Sequence, residues 1–401
     1  MKKLVSLLLA IGVSAPLFAA PNTPVTLAKK SKDLSEARSL IKQAINDPQY
    51  NQQAETYYVA GEIELNAYDN GYKTKMINPD DPSASVDALG EALYNAYNYF
   101  LQALPLDSLP NEKGQIKPKY SKDIYNKLKG HLGDFFTIGA DYYNNKEYYP
   151  QAYQGFLIYS DIPTLLITND PSIVNQEQIA TSYFNAGLAA SQGGATEASA
   201  EAFKKARLAG YAQPEATIYE IACWQTIAQQ DENRAEEAQN HILEAAQAGI
   251  DQFGIEQSIF INNLINSLVN ENQSDAAIAK LNDLIAQNPD SPNLYGLRGY
   301  VYDRLENDDL SEADYRKAAD LPTADFETLK NASNKLYRVG TAKLNALEGT
   351  SADAAARENI KNNYFLQAQK YAQQANEMQP GDSYIQNILD SIDYAVTTFF
   401  N

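Results

Sequence analysis

Small and bulky residues recur along the chain at helical spacing, in the order small-x-x-x-bulky-x-x-small. The triad appears eight times: Ala37/Ile41/Ala44, Ala96/Phe100/Ala103, Ala152/Phe156/Tyr159, Ser199/Phe203/Ala206, Ala238/Ile242/Ala245, Ala277/Leu281/Leu284, Ser311/Tyr315/Ala318 and Ala368/Ala372/Ala375. Positions i, i+4 and i+7 share one face of a helix, so each triad predicts a helix that buries one narrow stripe. Tyr159, Leu284 and Ala372 meet the size rule only loosely. The middle members are spaced by 59, 56, 47, 39, 39, 34 and 57 residues. A short helical unit that cannot bury its apolar face alone must stack on its neighbours, and the spacing predicts an array of such units.

A second pattern precedes several of these triads. Tyr183, Ala186, Gly187 and Ala190 place an aromatic, two small residues and a glycine on one helical face ahead of Ser199, Phe203 and Ala206. A glycine inside a helix costs about 1 kcal/mol in propensity, and it persists where a neighbouring helix comes too close for a side chain. Equivalent sets are Tyr57/Ala60/Gly61, Phe135/Ile138/Gly139/Tyr142, Tyr295/Gly299/Tyr302 and Leu336/Val339/Gly340. Ile261/Leu264/Ile265/Leu268 keeps the apolar face without the glycine. The stretch from Ala222 to Gln229 fits poorly, and Trp224 points to a shifted register there. Gly210 and Gly249 read as C-terminal caps.

These residues, with a shortest step of 34, resemble the tetratricopeptide repeat, a pair of antiparallel helices. The resemblance implies an all-α, right-handed superhelical solenoid of about fifteen helices with a C-terminal capping helix. Along the chain it gives a signal segment at 1–20, a flexible segment at 21–32 and divergent repeats with long inserts at 33–176. Regular repeats follow at 177–323, then a divergent repeat and the cap at 324–401. The helix from Leu34 to Ile45 reads as a second helix without a first. One insert holds Pro79-Asp80-Asp81-Pro82, and another holds Glu348-Gly349-Thr350-Ser351. The cap rests on the stripe Ile385, Ile388, Ile392 and Ala395.

The ends and the charge restrict where such an array works. Lys2 and Lys3, the apolar stretch Leu4–Phe18 and Ala19-Ala20 before Pro21 read as a secretory signal, too short at its core for a comfortable membrane span. No cysteine stands at that junction, which disfavours a lipid anchor. No later segment is apolar enough for direct membrane insertion. The expected location is therefore exported and periplasmic, with any outer-membrane association made through a partner. Cys223 is the single cysteine, so no intramolecular disulfide supports the fold. The chain carries 32 basic and 51 acidic residues. That balance disfavours nucleic acid and anionic lipid as partners.

Chemistry is sparse. His131 and His241 are the only histidines, too few for histidine-rich metal sites, and no Gly-rich phosphate loop, G-x-S-x-G elbow or calcium loop is present. No catalytic, cofactor or metal residue is expected. Asp80-Asp81 and Asp308-Asp309 read as solvated charges and Cys223 as a packed thiol. Asp107-Ser108-Leu109 resembles the Asp-Ser/Thr-apolar acceptor of some bacterial envelope O-glycosylation systems, with Ser108 on a Pro-rich loop as the acceptor.

If the repeat geometry holds, the residue three before each glycine turns toward the inner surface. That places Tyr58, Phe136, Phe184 and Tyr337 in a groove, with Tyr143 and Tyr300 nearby and Asn262, Asn266 and Asn270 as a ladder on one helix. Aromatic faces beside amides suit an extended peptide, and they also suit sugar rings. The competing reading is that these rings pack between helices. Arg298 and Arg338 do not complete with Asn185 the basic set that grips a peptide carboxylate. The expected function is a non-enzymatic scaffold for a protein or peptide partner in the cell envelope; the alternative is a glycan or small-nutrient binding module. The sequence leaves the oligomeric state open.

Overall fold

The computed structural model describes residues 23–111, 113–145, 148–166, 175–347 and 354–400. Every regular element among them is helical. The signal segment, Lys146-Glu147 and the Glu348–Ser351 insert lie outside the described residues. The chain divides into two compact units, one ending at Cys223 and one starting at Trp224.

The first unit contains α1 (Pro24–Lys30), α2 (Leu34–Asn46), α3 (Ala54–Ile77), α4 (Val86–Asp107), α5 (Ser121–Gly130), α6 (Leu132–Tyr143), α7 (Tyr149–Leu166), α8 (Gln176–Gln192) and α9 (Thr196–Leu208). Helix α10 (Glu215–Gln230) includes the dividing bond. The second unit holds α11 (Ala235–Phe253), α12 (Ser258–Asn270), α13 (Ser274–Gln287), α14 (Pro292–Arg304), α15 (Asp308–Ala319), α16 (Phe326–Asn345), α17 (Ala354–Ile360), α18 (Leu366–Met378) and α19 (Ser383–Phe399). Helices pack chiefly on their chain neighbours, as α3 on α4, α6 on α7, α8 on α9, α14 on α15 and α16 on α18.

The repeated triad is what these pairs bury. All three members are buried in seven of the eight triads, and in the remaining one only Tyr159 is half-exposed. The glycines sit where the partner ring arrives. A Cβ on Gly187 would stand 2.6 Å from the Phe203 ring, and one on Gly61 would collide with Phe100. Ser199 does more than fill the small position, because its hydroxyl donates to the Gly187 carbonyl at 2.9 Å. In the last repeat the sequence pattern put Ala372 in the bulky slot. The ring nearest Gly340 is instead Phe365, at 3.2 Å from an added Cβ. It lies at the end of a π-helical turn, Lys361–Phe365, which runs directly into α18. The wider turn presents a residue outside the simple period.

Two further expectations need correction. The described part of the segment 21–32, from Thr23 on, is not a flexible lead: it contains α1, whose Thr23 side chain accepts the Thr26 N–H at 3.1 Å and whose Pro24 occupies the first turn. Val25 and Ala28 are buried, with α1 against α2 and α3. Seven residues are too few to display a period, which is why apolar spacing missed it. Helix α2 accordingly has a helix before it. The excess between Gly61 and Ala96 is mostly helix, since α3 runs to Ile77 and α4 starts at Val86, with Tyr68 and Gly71 buried in the added turns. The C-terminal stripe of Ile385, Ile388, Ile392 and Ala395 is buried on α19 as the pattern requires.

Candidate functional site

The predicted groove residues divide by what surrounds them. Tyr58 is buried, stacks on Tyr120 at 4.5 Å and donates its hydroxyl to Asp123 at 2.7 Å. Burial first, and then the Asp123 carboxylate, raise its pKa far above the usual phenol value. Phe184 stacks on Tyr211 at 4.4 Å and also meets Phe203 and Tyr219. Tyr337 meets the buried Phe365 ring edge-on at 5.9 Å. Each of these three rings packs on neighbouring rings, with Tyr58 buried and Phe184 and Tyr337 half-exposed. Their partners Tyr120 and Tyr211 follow the helices in loops, outside the repeating pattern.

Phe136 and Tyr143 behave differently. With Ala140, Asn144, Phe156, Asn185 and Leu188 they line a hollow of about 180 Å³ between α6, α7 and α8. Its apolar wall is Phe136, braced edge-on by Phe156 at 5.3 Å and Tyr159 at 5.4 Å. Tyr143 is held by Tyr149 at 5.6 Å. The side-chain amides of Asn144 and Asn185 have no hydrogen-bond partner among the described residues. The hollow thus offers ring faces at one wall and unengaged donors and acceptors at its rim, the combination that holds peptide-like groups.

In the second unit, Tyr300 is half-buried on α14 and Asn266 is exposed on α12. Asn262 is half-buried, and its Oδ1 is enclosed without a hydrogen-bond partner. Arg298 is fully engaged: it makes a two-bond pair with Asp314 at 2.7 Å each and reaches Asn282 at 2.6 Å. It is therefore spent on joining α13, α14 and α15.

Charged pairs of this kind are the feature that periodicity did not reveal. Arg207 and Glu220 form a buried bidentate pair at 2.7 and 3.0 Å between α9 and α10. Lys335 on α16 is buried and donates to Asp303 at 2.5 Å and Asp308 at 2.7 Å. Hydrogen bonding to Lys335 lowers the Asp308 pKa, so Asp308 is a fastening group and not merely a solvated loop charge. Trp224 is buried flat against His241, with ring centres 3.9 Å apart. Cys223 is half-buried, and burial raises its thiol pKa. Tyr148, just before α7, donates to Asp87 at 2.7 Å and so fastens α4 to the start of α7. Ser108 is exposed at the end of α4, its hydroxyl bonded to the Leu104 carbonyl. No group of three His, Cys, Asp or Glu residues fit for a metal occurs among the described residues.

No known protein-family profile matches the chain, and no curated protein does. Several solved structures are similar to it. The pilF protein of Pseudomonas aeruginosa is 14% identical over 65% of this chain and 98% of its own, with a TM-score of 0.33. A TPR repeats protein of Bacteroides fragilis is 16% identical over 67% and 97%, with a TM-score of 0.33. Yeast Tom70 is 13% identical over 93% and 88%, with a TM-score of 0.32. Within each unit, antiparallel pairs closed by a glycine on the first helix against a ring on the second have the arrangement of tetratricopeptide repeats. The chain has an all-α tetratricopeptide-repeat fold.

Proposed function

We propose that the chain is a non-enzymatic scaffold that holds an extended segment of a partner protein in the hollow between α6 and α8. The observation that carries this reading is the hollow's lining, in which Phe136 and Tyr143 stand beside the unengaged amides of Asn144 and Asn185. An extended peptide leaves its backbone N–H and C=O groups free, and an asparagine amide can satisfy one of each. The rings supply contact area at little entropic cost, because their packing already fixes them. The first twenty residues read as an export signal, and the proposed setting is the cell envelope, with the periplasm as the site of binding.

Tyr143→Ala combined with Asn185→Ala tests the assignment. Both positions are half-exposed, so the variant is expected to keep its helical circular dichroism and melting temperature. Crosslinked envelopes are then probed with tagged wild-type and variant protein. Loss of a partner that wild type captures stoichiometrically, by about tenfold or more in affinity, is the expected result. Equal capture by both proteins removes the hollow from the binding site. Sugar-dependent tyrosine fluorescence without any captured protein replaces the scaffold with a glycan reader.

A further inference from the structure

The loop joining α4 to α5 is chemically unlike the rest of this acidic chain. From Leu109 to Lys129, the loop together with α5, there are six lysines and two carboxylates, Glu112 and Asp123, in a chain of net charge -19. The described residues of 108–119 are all exposed. Two large aliphatic side chains stand in solvent there, Leu109 at 59% and Ile116 at 62% exposure.

The loop is nevertheless structured. At its base the buried Asp107 carboxylate accepts the backbone N–H groups of Lys119, Tyr120 and Ser121 at 2.9, 2.9 and 2.7 Å, and the Ser121 hydroxyl at 2.7 Å. At its tip the Asn111 N–H donates to the Gln115 carbonyl at 2.9 Å, and Gly114 donates back to Asn111 at 2.8 Å. Lys127 is neutralised by Glu62 and Asp123, and Lys119 lies over the Tyr120 ring. Lys113, Lys117 and Lys122 have no ion-pair partner among the described residues.

We propose that this loop is a docking surface for anionic lipid. Leu109 and Ile116 enter the headgroup boundary, and Lys113, Lys117 and Lys122 face the lipid phosphates. The chemistry favours lipid over a protein partner because protein interfaces concentrate arginine and aromatic residues and are depleted in lysine. From Leu109 to Lys119 the loop has neither an arginine nor an aromatic residue. Clustered lysines beside exposed aliphatics are what a negatively charged membrane surface attracts. The acidic remainder does not cancel this attraction, since charges beyond about 8 Å are largely screened at physiological ionic strength. The whole-chain balance, which speaks against anionic lipid, is thus overridden locally. The proposal is independent of the hollow between α6 and α8.

The chain from Pro21 onward, which keeps every described residue, is sedimented with vesicles of equimolar phosphatidylcholine and phosphatidylglycerol, and with pure phosphatidylcholine. The expected result is binding to the anionic vesicles only, weakening as salt rises. Lys113→Gln, Lys117→Gln and Lys122→Gln together should lower that partition by about a hundredfold, at roughly fivefold per lysine. Ile116→Ser should lower it separately. All four positions are exposed, and circular dichroism checks that the variants fold. Equal binding to neutral vesicles, or wild-type partition in the triple lysine variant, overturns the proposal.

Discussion

A leucine at position 187 would begin 2.6 Å from the Phe203 ring, in a helix whose carbonyl at that residue also receives the Ser199 hydroxyl. Neither neighbour has room to move without opening the pair, so Gly187→Leu should destabilise the protein by about 1–3 kcal/mol or more. Phe184→Ala belongs beside it. The sequence pattern made Phe184 a ligand contact whose loss spares the fold, whereas its stack on Tyr211 and contacts with Phe203 and Tyr219 make it a joining ring. Its removal should cost on the order of 2–4 kcal/mol, allowing for its partial exposure. Urea denaturation of both variants measures this, and an unshifted midpoint for Phe184→Ala would return that ring to the groove. The contrast shows what a single sequence conveys at this scale. Positions that repeat, such as Gly187 and Phe203, are legible because eight copies carry one constraint. Tyr120 and Tyr211 occur once each, in loops, and nothing in their spacing reveals which ring they cover.

Between residue and molecule stand the devices that set one helix on the next. The Asp107 carboxylate closes the loop from α4 to α5 with four hydrogen bonds. Burial works to raise its pKa, yet the Ser121 hydroxyl and three backbone N–H groups outweigh burial and hold it below the ordinary value. A carboxylate depressed in the folded state contributes stability that is present above its unfolded pKa of about 3.9 and is lost as pH falls through the lower folded value. Asp107→Asn should therefore cost about 1–3 kcal/mol at neutral pH, because an amide cannot accept all four donors. The penalty should shrink as pH falls below about 4 and through the lower folded value, where the wild-type group itself takes up a proton. Melting curves across that range decide the matter, and a penalty constant with pH would remove the carboxylate charge from the clamp. Elements of this kind were half legible. Long apolar stripes such as Ile385/Ile388/Ile392 located α19. The short α1 and the Lys335 bridge to Asp303 and Asp308 leave no periodic trace, because capping and ion pairing need only one or two residues apiece.

Across the whole molecule, energy is shared mainly between chain neighbours: α8 packs on α7 and α9, while α18 packs on α16, the π-helical turn and α19. An array coupled in this way behaves as a sum of repeat stabilities and nearest-neighbour terms rather than as one all-or-none unit. The consequence is measurable by amide hydrogen exchange in the Gly187→Leu variant. Protection should fall most in α8 and α9, whose pair the substitution forces apart, and less in α7, which keeps its contacts with α6. Helices α18 and α19 should exchange as in wild type, since their stability draws on Phe365, Tyr371 and the Ile385 stripe, which pack in one cluster of the second unit. The alternative is a single cooperative core, in which any local loss lowers the global unfolding free energy and raises exchange everywhere by the same factor. A uniform rise across α8 and α19 would establish that cooperativity and contradict nearest-neighbour coupling. Loss confined to α7–α9 would mean that binding in the hollow between α6 and α8 stabilises only the repeats that form it.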